Sequence, residues 1–185
     1  MDKKLTICTS PYLRTTSFSK RVAQDLFAVV DRLGINNMEL SNTNDIWCRD
    51  YMPVSLFDDG YYATYEYKPD YLWDKKCNRK YITHQIDACK DLNIKIPLRM
   101  GFIFDGGNYV RLNGNRNSTV FMTDKILMEN SYWPLHELIQ RLHLSLAADI
   151  VLLPWDMDEP YGHTDGMVAP LPDGRLLLNN YCQTA

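Results

Sequence analysis

Apolar positions along this chain switch between helical and β spacing, and they do so in a recurring order. Val22, Leu26, Val29, Val30 and Leu33 return every three or four residues. That spacing predicts a helix over about 17–33, with the stripe turned to the core and Gly34 as its stop. Short strands are predicted on either side, over 4–9 and 37–40. Residues 53–57 and 61–67 are β-prone runs joined by Asp58-Asp59-Gly60. An Asp-Gly pair between such runs signals a hairpin.

The order returns twice. A helix is predicted over about 78–92, with Ile82, Ile86 and Cys89 on one face, then a strand over 94–98. Hairpin strands over 109–112 and 119–123 follow, about the turn Asn113-Gly114-Asn115. In the third copy Ser131 caps a helix with Pro134 near its start and Leu135, Leu138, Ile139 and Leu142 inward. A nearly all-apolar strand over 149–153 comes next and reads as buried. Strands over 167–171 and 175–179 then turn at Pro172-Asp173-Gly174. The unit is helix, strand, acidic loop and hairpin, in three copies over roughly 1–67, 68–123 and 124–185. Copies of this size built on hairpins predict an α/β propeller or related closed array in a single domain, 1–185. The aromatic and charged stretch 67–76 is the longest irregular connection and is expected to form a lip.

With 185 residues the chain is long enough to bury a core as one domain. A net charge of -3 with scattered basic residues gives no reason to expect nucleic acid as a partner. The densest basic group, Lys75, Lys76, Arg79 and Lys80, reads as a solvated helix start. No apolar run approaches the roughly 18 residues of a membrane helix, and the N-terminal apolar stretch is too short for a signal peptide, so no membrane partner is expected. Five cysteines, an odd set without a CxxC pair, argue for a reducing compartment, the cytoplasm, and against structural zinc.

Three acidic motifs occupy equivalent places in the copies: Trp47-Cys48-Arg49-Asp50, Phe104-Asp105-Gly106-Gly107-Asn108 and Gly162-His163-Thr164-Asp165-Gly166. Asp50, Asp105 and Asp165 follow one another at intervals of 55 and 60 residues. A repeat can bring the same loop of each copy to one place, and three carboxylates with one histidine there make a site for a cation. On an extended segment His163 and Asp165 point to the same side, and Arg49 and Asp50 to opposite sides, with Asp50 toward the site. Histidine titrates near neutral pH and suits general acid/base work. Asp105 can hold its tautomer and stabilise the imidazolium. Cys48, small and buried, is expected to be inert. The residues leave two occupants open. One is a guanidinium, planar and able to donate bidentate hydrogen bonds to each acid. The other is a metal ion held by Asp50, Asp105, His163 and Asp165.

The stretch Asn44-Asp45-Ile46-Trp47-Cys48-Arg49-Asp50-Tyr51-Met52-Pro53 resembles the (T/N)xDxWxRDxxP motif of the agmatine deiminase and Porphyromonas-type peptidylarginine deiminase family. Phe104 to Asn108 is similar to that family's EGGN motif, and Gly162 to Asp165 to its GHxD motif, in the same order. The resemblance covers this chain but only about the first half of a family member. It implies a pentein fold, five ββαβ modules around a pseudo-fivefold axis, of which about three are expected here. It implies hydrolysis of a guanidine to a ureido group and ammonia through a covalent thiouronium intermediate, with no metal or cofactor. Asp50 and Asp165 would clamp the guanidinium, with Trp47 and Asn108 also at the substrate. His163 would be the acid/base and Asp105 its partner, at a position where the family usually has Glu.

The family's nucleophilic cysteine lies in a Gly-rich segment far beyond GHxD. Cys182, only 17 residues past Asp165, does not match it. The chain as given is therefore expected to be inactive, with a non-catalytic guanidinium-binding remnant as the alternative. Agmatine is the favoured small guanidine partner. Open module edges are expected to drive self-association.

Overall fold

The structure, a computed structural model, describes residues 5–56, 61–90, 92, 94–113 and 118–179. The hairpin turns expected at 58–60 and 114–115, and Cys182, lie outside these residues.

Strands β1 (Thr6–Thr9) and β2 (Asn36–Glu39) pair in parallel across two helices, α1 (Tyr12–Thr15) and α2 (Lys20–Arg32). A helical turn, α3 (Cys48–Tyr51), leads into β3 (Val54–Ser55) and β4 (Tyr61–Glu66). Two short helices, α4 (Asp70–Trp73) and α5 (Gln85–Cys89), precede β5 (Lys95–Ile103). Strands β6 (Val110–Leu112) and β7 (Thr119–Thr123), helices α6 (Lys125–Glu129) and α7 (Leu135–Leu146), and strand β8 (Asp149–Leu153) follow. The described part ends in the hairpin β9 (Val168–Pro170) and β10 (Leu176–Leu178).

Sheet β3-β4-β5 and sheet β6-β7-β8 have the same topology. In each, a hairpin supplies an antiparallel pair, and the strand after the helices adds in parallel to the second hairpin strand. Hydrogen-bonded units therefore join the hairpin of one expected copy to the strand of the next, and they cross the boundaries at 67 and 123. The order of elements was legible, but the point at which one unit ends depends on pairing, which periodicity does not report. Each acidic motif follows the last strand of one sheet and precedes the hairpin of the next.

The core is contiguous and runs through Tyr51, Phe102, Phe104, Val120, Met122, Ile126, Leu138, Leu142 and Leu146, all at most 2% exposed. Helix α7 buries Leu138, Leu142 and Leu146, while Leu135, expected inward, is on the surface. Helix α2 is also rolled from its expected orientation. It packs through Ala23, Phe27 and Val30, and leaves Val22, Leu26, Val29 and Leu33 exposed. Burying Phe27 removes the largest apolar side chain of the helix from water, and the Arg14 guanidinium lies 3.5 Å over its ring.

The helix expected over 78–92 is broken into a 3₁₀ turn at Arg79–Tyr81 and α5. Between them the chain is extended, because Thr83 Oγ1 accepts from the Asn44 amide and Asn44 Nδ2 donates to the Ile82 carbonyl. Ile86 is consequently exposed and Gln85 buried. Ser131 caps nothing: α6 ends ahead of it and α7 starts after Pro134. The break is fixed by Asn130, whose fully buried amide bonds both backbone groups of Ile103 and the Ile126 carbonyl. Strand β8 is exposed or half-buried along its length rather than buried.

Candidate active site

The first motif is not extended. Residues Cys48–Tyr51 form one helical turn, so Arg49 and Asp50 project about 100° apart rather than on opposite sides. Buried neighbours hold that turn. Tyr65 Oη lies 2.6 Å from the Asp50 carbonyl and 2.9 Å from that of Met52. Gln85 Nε2 donates to the Tyr51 carbonyl and its Oε1 accepts from the Tyr65 amide. The Asp50 carboxylate is thereby aimed inward, with the residue 8% exposed.

The second motif is a 3₁₀ turn in which the Gly107 amide donates to Asp105 Oδ1 at 2.8 Å. The other carboxylate oxygen, Oδ2, accepts from the Tyr71 hydroxyl at 2.6 Å and stands 3.3 Å from His163 Nε2. The pair is an ion-pair approach rather than a hydrogen bond, and the Nε2 atom is buried. Both glycines are required by close approach. A Cβ on Gly106 would meet the Arg49 carbonyl, and one on Gly107 would come 2.6 Å from the His163 ring.

The third motif turns where the sequence suggested an extended segment. Thr164–Gly166 is a 3₁₀ turn after an extended His163, so the alternation argument for His163 and Asp165 does not hold. Asp165 takes an ion pair from Arg49 Nε at 2.5 Å, and Arg49 Nη2 donates to the Tyr109 carbonyl at 2.6 Å.

Asp50, Asp105 and His163 thus come together, with one ligand atom of each inside a 4.8 Å span. Asp165 stands beside this group through Arg49. Trp47, at the start of the helical turn, is 56% exposed. Asn108, which the motif places at the substrate, makes its contacts here within the fold: its Oδ1 accepts from the Thr123 amide (2.6 Å) and the Thr164 hydroxyl (2.7 Å). At 4% exposure it locks β7 to the turn that carries His163.

A model of the Porphyromonas-type peptidyl-arginine deiminase family matches residues 3–185. The chain belongs to that family. Three solved structures share the fold. A crystal structure assigned as a peptidyl-arginine deiminase aligns with TM-score 0.62 at 17% identity, over 96% of this chain and 63% of its own. The agmatine deiminase of C. jejuni aligns with TM-score 0.61 at 15% identity, over 90% and 58%. The agmatine deiminase of Enterococcus faecalis aligns with TM-score 0.59 at 17% identity, over 98% and 60%. This member of the deiminase family spans less than two thirds of the length of the solved structures it matches. Among curated protein sequences, none matches it.

The electrostatics of this deiminase-family site follow from burial and crowding of like charge. Burial and then the Asp105 charge push Asp50 up to about 7. Burial by itself would lower the His163 pKa, but the Asp105 carboxylate 3.3 Å away, with Asp50 and Asp165 behind, raises it to about 9. His163 is therefore an imidazolium at neutral pH. Its stabilising contribution is complete below its reference pKa of 6.5 and is lost as pH rises through about 9. The thermal midpoint is expected to fall across that window, and His163→Gln to flatten the fall. An unchanged slope in the variant would remove His163 as its source.

Several residues around the site carried no motif. Tyr71, from the stretch expected to form a lip, packs edge-on against Tyr161 with ring centroids 5.0 Å apart, and both rings flank His163. Its segment is tied down by Lys125, 2% exposed in its side chain, whose Nζ pairs with Asp70 at 2.7 Å and donates to the Pro160 carbonyl at 2.5 Å. Burial pushes nearby Glu129 up to about 7, and its Oε1 accepts from the Asp70 amide. The aromatic content of 67–76 was the available signal for Tyr71. Nothing in the sequence marked Lys125, which looks like any surface lysine until its carbonyl partners are in place.

Proposed function

We propose that this chain carries the guanidinium-recognition part of a guanidine deiminase, with a small guanidine such as agmatine as ligand. The observation that supports it is the convergence of Asp50, Asp105 and His163, beside Asp165, from three separate motifs. In this reading Asp50 and Asp165 bind the guanidinium as charge-assisted acceptors. The pairing of Asp165 with the guanidinium of Arg49, the same chemical group, supports this reading.

The reaction proposed for the whole enzyme is attack of a thiolate on the guanidinium carbon. Loss of ammonia gives a thiouronium, and attack of water then yields the ureido product and regenerates the thiol. His163 delivers a proton to the departing ammonia and takes one from the water. Asp105 orients it and favours its charged form. No cofactor enters this scheme. Among the described cysteines, Cys48 is pushed up to about 11 and Cys89 to about 12 by burial, and Cys8 is raised by the same cause. None of these three is a thiolate near neutral pH. The fourth described cysteine, Cys77, is exposed with its Sγ on Asn78 Oδ1; we place the nucleophile in the part of such a protein that this chain does not match, and expect the chain alone to bind agmatine without turning it over.

Calorimetry with agmatine, alongside an ammonia-release assay, tests both halves. Binding without turnover is expected, weakened roughly tenfold or more by Asp165→Asn. Unchanged binding in that variant would sink the clamp. A second reading has one observation in its favour: three ligand atoms within 4.8 Å suit a divalent ion. Titration with zinc or manganese separates the two. Stoichiometric metal binding that agmatine does not oppose would favour the metal reading.

A further inference from the structure

The apolar stripe that the sequence turns inward lies on the surface of the folded chain. Val22, Leu26 and Val29 of α2 and its C-cap residue Leu33 are 63%, 37%, 41% and 62% exposed. Their steps of four, three and four residues are the a/d alternation of a two-helix seam. One flank of this stripe, Ala23, Phe27 and Val30, fastens the helix to the body of the protein. The opposite flank carries Asp25 and Arg32, both exposed. Neither takes part in an ion pair among the described residues.

The charge order selects one arrangement. In an antiparallel pair of α2 helices, Val22 faces Leu33 of the second copy and Leu26 faces its Val29. Residues just ahead of the a positions then share one flank, which sets Asp25 against Arg32 of the second copy and Arg32 against its Asp25. A parallel pair would bring those charges against the Ala23 and Val30 side, which is already buried in the same chain, and would form neither ion pair.

We propose that α2 is a self-recognition surface through which two copies of this chain associate, antiparallel, about a two-fold axis. The surface is distinct from the sheet edges and from the His163 site, so the inference stands independently of the proposed activity. A helix of 13 residues is about 20 Å long. A seam of that length alone falls below the 1,200–2,000 Å² or so of a stable interface. The dimer is therefore weak and concentration-dependent.

Sedimentation equilibrium of the whole chain over a wide concentration range tests this, with circular dichroism and the thermal midpoint as controls. A reversible monomer–dimer equilibrium is expected. Leu26→Glu, at an exposed position, is expected to abolish it with the fold and midpoint unchanged. Asp25→Arg sets like charges together and is expected to weaken the dimer roughly tenfold or more. Adding Arg32→Asp to it restores the complementary order and the dimer. A chain that stays monomeric at the highest concentration overturns the proposal, as it would if another segment of a longer protein covers the stripe. A dimer indifferent to Leu26→Glu overturns it in favour of another surface, such as the sheet edges. Failure of the double charge swap to rescue association overturns the antiparallel register.

Discussion

Agmatine is expected to bind close to tenfold more tightly for each pH unit as pH rises toward 7, and then to level off. The slope comes from Asp50. Burial and the neighbouring Asp105 charge keep its carboxyl protonated up to about 7. A protonated acid offers a cation no charge and only one good acceptor. The guanidinium stays charged throughout this range, so the titration belongs to the protein. The sign follows from linkage: the ligand prefers the ionised acid, so binding expels a proton and is favoured as protons become scarce. A second, smaller rise is expected as His163 gives up its proton near 9 and a positive charge beside the ligand disappears. Calorimetry over a pH series, in buffers of different ionisation enthalpy, reads both the affinity and the proton released. Asp50→Asn should abolish the rise toward pH 7 and keep the later one. An affinity that stays level across pH 7 in the unaltered chain would remove Asp50 from the ligand.

Asn108→Ala is expected to cost about 3–5 kcal/mol of stability, from two buried donors left without acceptors at about 1–3 kcal/mol each and the lost packing. Those donors are the Thr123 amide and the Thr164 hydroxyl, both bonded to the same Asn108 oxygen. The Thr164 hydroxyl can rotate, but Thr164 is fully buried and the Thr123 amide is fixed in β7. Asn108→Asp keeps an oxygen acceptor and should cost less, at the expense of a buried charge. Urea unfolding of the two variants gives the difference. The imidazole resonances of His163 report whether its turn has moved. A loss under about 1 kcal/mol for the alanine variant would mean that the two donors find other acceptors.

The three motifs were legible because each packs several constrained residue types into a few positions. Asp50, Asp105 and His163 were expected together and are found together. Their backbone was not legible. Arg49-Asp50 and Thr164-Asp165 were read as extended segments with period-two geometry, yet both sit in single helical turns. A turn of three or four residues is too short for any periodicity and is decided by distant partners such as Tyr65 and Gln85. Residues 78–92 show the same limit: a plausible helical spacing loses to hydrogen bonds from Asn44, 38 and 39 residues away along the chain. In α2 the helix itself was clear, but seven apolar residues wrap more than one face. Which face is buried depends on how Phe27 docks.

Asn108, placed at the ligand by its motif, also fastens the fold through its buried amide. Its place has a consequence for how the site comes into being. Sheets β3-β4-β5 and β6-β7-β8 and the hairpin β9-β10 share no strands, so each can hold its own hydrogen bonds before it meets the others. Asp105 leaves the first and His163 enters the third, and the side chain of Asn108 sets their meeting from the second. The site is therefore a seam property, absent from any one sheet and complete only when all are docked. A ligand there acts as a clasp. By mass action its free energy of binding is added to the docking of the sheets, so occupancy should suppress the sub-global openings that expose these seams to hydrogen exchange while barely altering exchange inside a sheet.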